Sequence, residues 1–225
     1  MCLFLFSVLF AFSVAAAAAP IIYNSTIYST SAFAEIGDQT TAFDSESSPP
    51  DLLPITSAAV VLGTDPSLHE VAVGFGTAND GSLTISNLIA ASQSHAGSVA
   101  EASYQAEIIG NGRYRLVLDF DTVSTLLGAT ADQLLGVAFS FGASTLFDES
   151  FTASGRFIRE FDLAQGGLGV LNISLIGVAD ADIGVGFTKS SVEFAISEVP
   201  LPAAAWMLGS AMGGLAMVRR RRVQA

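Results

Sequence analysis

Between residues 104 and 120 apolar side chains recur at every second position, and that period decides what the chain can fold into. Tyr104, Ala106 and Ile108 alternate with Gln105 and Glu107, and Tyr114, Leu116, Leu118 and Phe120 alternate with Arg113, Arg115 and Asp119. Successive side chains of a strand point to opposite faces, so this period buries one face and wets the other. A helix would scatter the same residues around its axis. Gly110-Asn111-Gly112 separates the two runs, and Asn-Gly between alternating segments predicts a hairpin whose arms pair with each other.

The same reading extends along the chain. Phe157, Phe161 and Leu163 share a strand face, with Arg159 between them near a rim. Leu168–Val178 is apolar enough for a central strand buried on both faces. Val192, Phe194 and Ile196 alternate with Glu193 and Ala195, giving a last strand that ends at about Ser197. Further strands are expected at about 21–35, 56–62, 69–76, 82–90 and 135–147. Gly, Ser, Thr and Asp punctuate them at short intervals, which favours a mainly β fold, an antiparallel β-sandwich or jelly roll, over βαβ units. Two segments depart from the pattern. Thr130-x-x-Gln133 resembles a capping box and predicts one short helix. Residues 37–54, polar and proline-rich, read as a long surface loop.

Two apolar runs bracket this β-patterned body. Residues 3–14 are uncharged and apolar and lead into Ala15–Ala19 and Pro20. This is the layout of a secretory signal peptide over residues 1–18, with cleavage after Ala18 so that the mature chain begins at Ala19. It departs from the usual layout in having no Lys or Arg before the apolar core. Cys2, the one cysteine, precedes that core, so the exported body, residues 19–198, holds no disulfide and depends on packing and backbone pairing. That body contains all 21 acidic residues against Arg113, Arg115, Arg156, Arg159 and Lys189, a net charge of −16. Such a surface repels nucleic acid, and nucleic acid is excluded as a partner. Asn24 and Asn172 head glycosylation-type triplets, read here as coincidental.

The second apolar run, Ala203–Val218, is 16 residues without a charge, followed by Arg219, Arg220, Arg221 and Arg222. As a helix it would span about 24 Å, and snorkelling arginine stems extend its reach toward the thickness of a bilayer. Gly209 and Gly213 are spaced for a close helix contact. The arginines place the C-terminal side in the cytoplasm and the body outside. Before the run, Pro200 and Pro202 hold the backbone extended, as a processing enzyme requires.

Val199-Pro200-Leu201-Pro202-Ala203, the apolar run and the arginines resemble the PEP-CTERM class of sorting signals in its V-P-L-P-A variant. The resemblance covers residues 199–222, about a tenth of the chain. It implies that Val199, Pro200, Leu201, Pro202 and Ala203 are the motif read by an exosortase-like membrane enzyme. It further implies that 203–218 is a transmembrane helix, that Arg219–Arg222 form the cytoplasmic stop, and that the body passes to the cell surface or matrix. The partners so implied are that enzyme, a signal peptidase and the secretion translocon.

Within the body the chemistry-bearing residues are few. His69 and His95 are the only histidines, and His69-Glu70 points its side chains to opposite strand faces, so both histidines read as surface or structural groups. Asp119 with Asp121 and Asp180 with Asp182 each place two carboxylates on one strand face about 7 Å apart. They are weak calcium ligands in the absence of an Asp-x-Asp-x-Asp-Gly loop, and Asp148-Glu149 is weaker still. Calcium is thus the one cofactor considered. Ser154-Gly155 lacks a nucleophile-elbow frame, and no phosphate loop, dinucleotide fingerprint or zinc motif occurs. Trp206, the one tryptophan, lies in the tail. Tyr23, Tyr28, Tyr104 and Tyr114 are therefore the body's candidates for a sugar platform, although packing is their usual role. These features point away from an enzyme and toward a structural or adhesive exported protein. The alternatives are a carbohydrate-binding module for exopolysaccharide, or a surface hydrolase whose two carboxylates stand about 5–9.5 Å apart.

Overall fold

The computed structural model describes residues 19–37, 40–65, 68–164 and 166–199. The signal segment 1–18, Pro200–Ala203 of the sorting motif, the apolar run 203–218 and Arg219–Arg222 lie outside the described residues. Among those described, no helix is long and apolar enough to cross a membrane.

The described residues form eleven antiparallel strands. They are β1 (Ala19–Ile36), β2 (Thr40–Ser48), β3 (Ile55–Leu62), β4 (Val71–Asn79), β5 (Ser82–Ala91) and β6 (Ala96–Leu127). After them come β7 (Thr130–Phe141), β8 (Ser144–Phe151), β9 (Gly155–Leu163), β10 (Leu168–Ala181) and β11 (Gly184–Glu198). One layer has the order β2-β1-β6-β10-β7-β8 and the other β3-β4-β5-β11-β6-β9, and β6 belongs to both. Its first arm pairs β1 and β10 through Ala96–Asn111. Its second arm pairs β9 and β11 from Gly112 to Leu127.

This arrangement corrects the expected hairpin at Gly110-Asn111-Gly112. The chain does reverse there, but the arms join opposite sheets and face each other across the core as an arch. Gly112 supplies the left-handed backbone (φ 132) that a side chain would strain. The Asn111 amide donates to the Tyr114 hydroxyl at 3.0 Å, and a Cβ on Gly110 would lie 2.6 Å from that same oxygen. A turn signal specifies reversal; it does not specify which layer each arm enters.

Four further expectations change. Residues 37–54 are not one loop, because Thr40–Ser48 forms β2 against β1, followed by a single 3-10 turn at Pro50–Leu52. The helix expected at Thr130 is strand β7: each inward residue from Leu135 to Phe139 is buried in the core, and burial outweighs the weak local cap. The segment 135–147 is two strands, β7 and β8, turning at Gly142. β10 is central as expected, between β6 and β7, yet its burial alternates, so it is covered on one face only.

Inward side chains of the two layers divide into two hydrophobic groups. Toward the arch, Tyr28, Tyr104, Tyr114, Phe139 and Phe161 pack with leucines and isoleucines of both layers. Phe139 lies 4.4 Å from Phe161 between ring centroids, and Tyr28 lies 5.0 Å from Tyr104. Desolvation here pushes the Tyr28 hydroxyl up to about 12. At the far end the core is Ala32, Ala34, Ala59, Ala72, Ala96, Ala179 and a few larger residues. There β4 presents Gly74 directly over the Phe33–Val99 pair, where a Cβ would sit 2.6 Å from the Val99 carbonyl oxygen and 2.8 Å from that of Phe33. Gly76 does the same over Ser31–Glu101, 2.6 Å from the Glu101 oxygen. Polar contacts run between the two groups: Thr30 with Ser57 at 2.8 Å, Asn87 with Thr188 at 3.5 Å, and Ser190 with Thr122 and Gln133.

The open edges of the layers are closed by side chains. Asp44 and Glu46 of β2 reach across to β3 and accept the Ala58 and Thr56 amides at 2.9 and 3.1 Å, which would otherwise be a free edge. On the opposite side Arg159 of β9 donates to both oxygens of Glu149 of β8. Phe151 stacks on Phe157 beside that pair at 3.7 Å. Arg159 thus occupies the rim position its sequence neighbours suggested.

Candidate functional site

The acidic residues singled out in the sequence fall into two separate places. Asp119 and Asp121 do share the outward face of β6, but each is engaged. Asp119 meets the Arg156 guanidinium at 3.6 Å, while Asp121 accepts from Ser154 Oγ at 3.3 Å. Ser154 also accepts the Thr122 amide at 2.9 Å, so this serine holds a turn. Asp148 and Glu149 point to opposite faces of β8, and only Glu149 turns inward.

Asp180 and Asp182 meet His95 at the far end. His95 Nε2 lies 3.3 Å from Asp180 and 3.5 Å from Glu35, and Nδ1 lies 3.3 Å from Asp182. Desolvation opposes the charged imidazole, but the Asp182 hydrogen bond and the three nearby carboxylates outweigh it and raise the pKa. Protonated, the ring presents an N–H on each side to a carboxylate and clasps the β1, β5–β6 and β10–β11 connections together. With the ring protonated the arrangement is an imidazolium clasp, and among the described residues no group of three His, Cys, Asp or Glu is disposed to hold a metal ion. His69 lies in the β3–β4 connection with left-handed backbone (φ 53). Its neighbour Glu70 accepts the Ser92, Gln93 and Ser94 amides at 3.3, 2.9 and 2.8 Å. Those bonds hold its carboxyl below the usual range. Both groups bind the far-end connections to one another.

A concave site lies on the outer face of the β2-β1-β6 corner. Ser29, Thr30, Ser31, Ser45, Glu46, Ser47 and Glu101 line a cleft of about 280 Å³. Register creates it: Ser47, Ser29, Ser103 and Ser174 lie side by side on four neighbouring strands. Ser29 and Ser103 share a 2.6 Å hydrogen bond, and Ser31 donates to Glu101 at 3.4 Å. The next outward pair is Phe33 with Phe43, the latter 69 % exposed. Hydroxyls that both donate and accept, a carboxylate and an adjoining ring are groups that can pair with a hydroxylated ligand. The sequence does not reveal it, because residues 45–48 read as loop; the alternating Ser-x-Ser of β1 and β2 is the available signal. The tyrosines do not supply a platform together, since Tyr28, Tyr104 and Tyr114 are buried and only Tyr23 is exposed.

Of the sorting motif, Val199 alone is described. β11 continues to Glu198, and the Val199 amide donates to the Arg113 carbonyl at 2.9 Å. The motif therefore begins on the body without a spacer.

No protein-family model matches the chain, and no curated protein matches it. Among solved structures, the chain is similar to the carbohydrate-binding module TmCBM61 in complex with β-1,4-galactotriose. Identity is 17%, covering 65% of this chain and 88% of that one, with a TM-score of 0.27. It is also similar to a secreted serine protease, VesC, from Vibrio cholerae (10% identity, 81% of this chain and 51% of that one, TM-score 0.24). A third is the GH31 α-xylosidase from Xanthomonas citri, at 7% identity over 79% of this chain and 34% of that one, TM-score 0.22. Likeness at this level carries no argument about what the chain binds or does.

Proposed function

We propose that the chain is an exported cell-surface or extracellular-matrix protein. In this reading it is a substrate for C-terminal processing by an exosortase-like enzyme, and its body is a structural or adhesive β-sandwich. The supporting observation is the Val199 contact: central strand β11 runs to Glu198 and the Val199 amide is held by Arg113, so the motif begins on the body itself. The charged groups of the body favour a structural role. Arg113 and Arg115 pair with Glu160 at 3.1 and 2.7 Å, Arg156 with Asp119 and Arg159 with Glu149, while Glu70 and His95 tie connections. Intact-mass analysis of the protein recovered from cells tests the reading. A mature species ending near Val199–Ala203 supports it, and one still carrying Arg219–Arg222 leaves only a tail anchor.

A second reading, a carbohydrate-binding body acting on exopolysaccharide, is favoured by the serine-lined cleft beside Phe33 and Phe43. Hydroxyl rows and an aromatic face suit a polyol, and weak calcium assistance from surface acids belongs to this reading. A glycan array run with and without calcium decides it: no bound glycan in either condition removes it.

A further inference from the structure

We propose that the arch end of the body is a lipid-contacting surface, seated on the headgroup region of the bilayer that residues 203–218 enter. This rests on the membrane reading of the tail given above. β1 starts with Ala19 paired to Asn111, and the Val199 amide is held by Arg113. The segments that adjoin both apolar sequence runs, 3–14 and 203–218, therefore leave the body two positions apart on the same strand. Ala203 stands four positions after Val199, a reach of about 13 Å if extended. A body tethered this closely holds whatever surrounds the arch at the water–lipid boundary.

What surrounds the arch suits that boundary. The segments gathered there are 19–23, 108–112, the β7–β8 turn within 140–147, and the described parts of the β9–β10 connection, 163–164 and 166–171. None of them contains Asp, Glu, Lys or Arg, in a body of net charge −16. They expose Ile22 (61 %), Tyr23 (49 %), Leu146 (47 %) and Leu168 (40 %). Ile22 and Leu168 stand on either side of Ile109 in register. Aliphatic and tyrosine side chains of this kind favour the membrane interface. The rim holds Arg113 and Arg115, whose stems reach outward, with Glu160, Asp162 and Glu198 beside them and Glu107 on the neighbouring face. Glu35, Asp180 and Asp182 sit at the opposite end, with Glu70. One β6 arm away is about 50 Å at 3.3 Å per residue, many Debye lengths from an anionic surface.

The test uses the full chain carrying Cys2→Ser, with single cysteines introduced as Ile22→Cys, Leu168→Cys, Leu62→Cys and Leu208→Cys. Each is labelled with an environment-sensitive fluorophore in phosphatidylethanolamine/phosphatidylglycerol vesicles containing a lipid-borne quencher. Leu62 is 67 % exposed at the far end and serves as the control. The expected result is several-fold stronger quenching at positions 22 and 168 than at 62, with strong quenching at 208. Strong quenching at 208 with equal, weak quenching at 22, 168 and 62 overturns this inference alone. Absence of quenching at 208 removes the membrane reading of the tail and this inference with it. Disulfide capture between two copies at position 22 or 168, in place of quenching, assigns the surface to a second copy and overturns it too.

Discussion

The two ends of this body are packed by opposite rules, although the same strands, β1, β4 and β6, serve both. Toward the arch the layers are held apart by rings and leucines, with Phe139, Phe161 and Tyr114 filling the space between. At the far end alanines and glycines let backbone approach backbone, so that Gly74 and Gly76 rest over ladder carbonyls of the opposite layer. The difference shows that a sandwich tapers by its inward residues rather than by its strand pairing. The thick end is vulnerable to subtraction and the thin end to addition.

That contrast is open to attack, beginning with the thick end. Phe139→Ala removes a fully buried ring that touches Phe147 and Phe161, and chemical denaturation should show a loss of about 3–5 kcal/mol. Gly74→Ala adds one methyl against two carbonyl oxygens of the facing layer and should cost about 1–3 kcal/mol, visible as a lower midpoint at unchanged slope. If Gly74→Ala is neutral, the thin end has slack and the contrast fails. Arg159→Met opens the β8–β9 edge while keeping most of the stem. With the pair partly exposed, equilibrium stability should fall by no more than about 1 kcal/mol, and the sharper readout is increased self-association through the freed edge.

The smallest effect is electrostatic and confined to the far end. The pKa of His95 is raised on folding, so its contribution is fully present below the unfolded value of about 6.5. It is lost as pH rises through the higher folded value. Stability should therefore decline above about pH 6.5, and His95→Gln should remove that part of the slope. A wild-type profile that is flat across neutral pH would show that Glu35, Asp180 and Asp182 do not clasp the ring.

Much of this architecture was legible in the residues, and the failures have physical causes. Alternation located both arms of β6 and β11, because their inward faces carry enough apolar contrast to show a period, while turn residues between short runs marked β1, β3, β4 and β5. β2 was invisible because its inward residues Asp44, Glu46 and Ser48 are polar; they turn toward the edge of β3 or the adjoining turn instead of a core. β7 imitated a helix start, since Thr130 and Gln133 have cap spacing while the deciding burial comes later, at Leu135, Val137 and Phe139. The alanine and glycine face of β4 gives almost no hydrophobic amplitude, so the thin end could not be inferred. The His95 clasp joins residues from three distant stretches, and only folding brings Asp180 and Asp182 to it. The serine row across β2, β1, β6 and β10 likewise depends on register between strands far apart in sequence.

The place of β11 in its layer has a temporal consequence. It lies between β5 and the second arm of β6, so a chain that appears from its N-terminal side cannot complete that layer until its last described residues are available. Before then β5 and β6 both present unpaired backbone, and the pairings that complete the layer span long stretches of sequence, a slow topology to close. Strand β11 therefore acts as a keystone. Val199 follows it at once, so on the processing reading proposed above the motif would be presented in the same step that completes the layer.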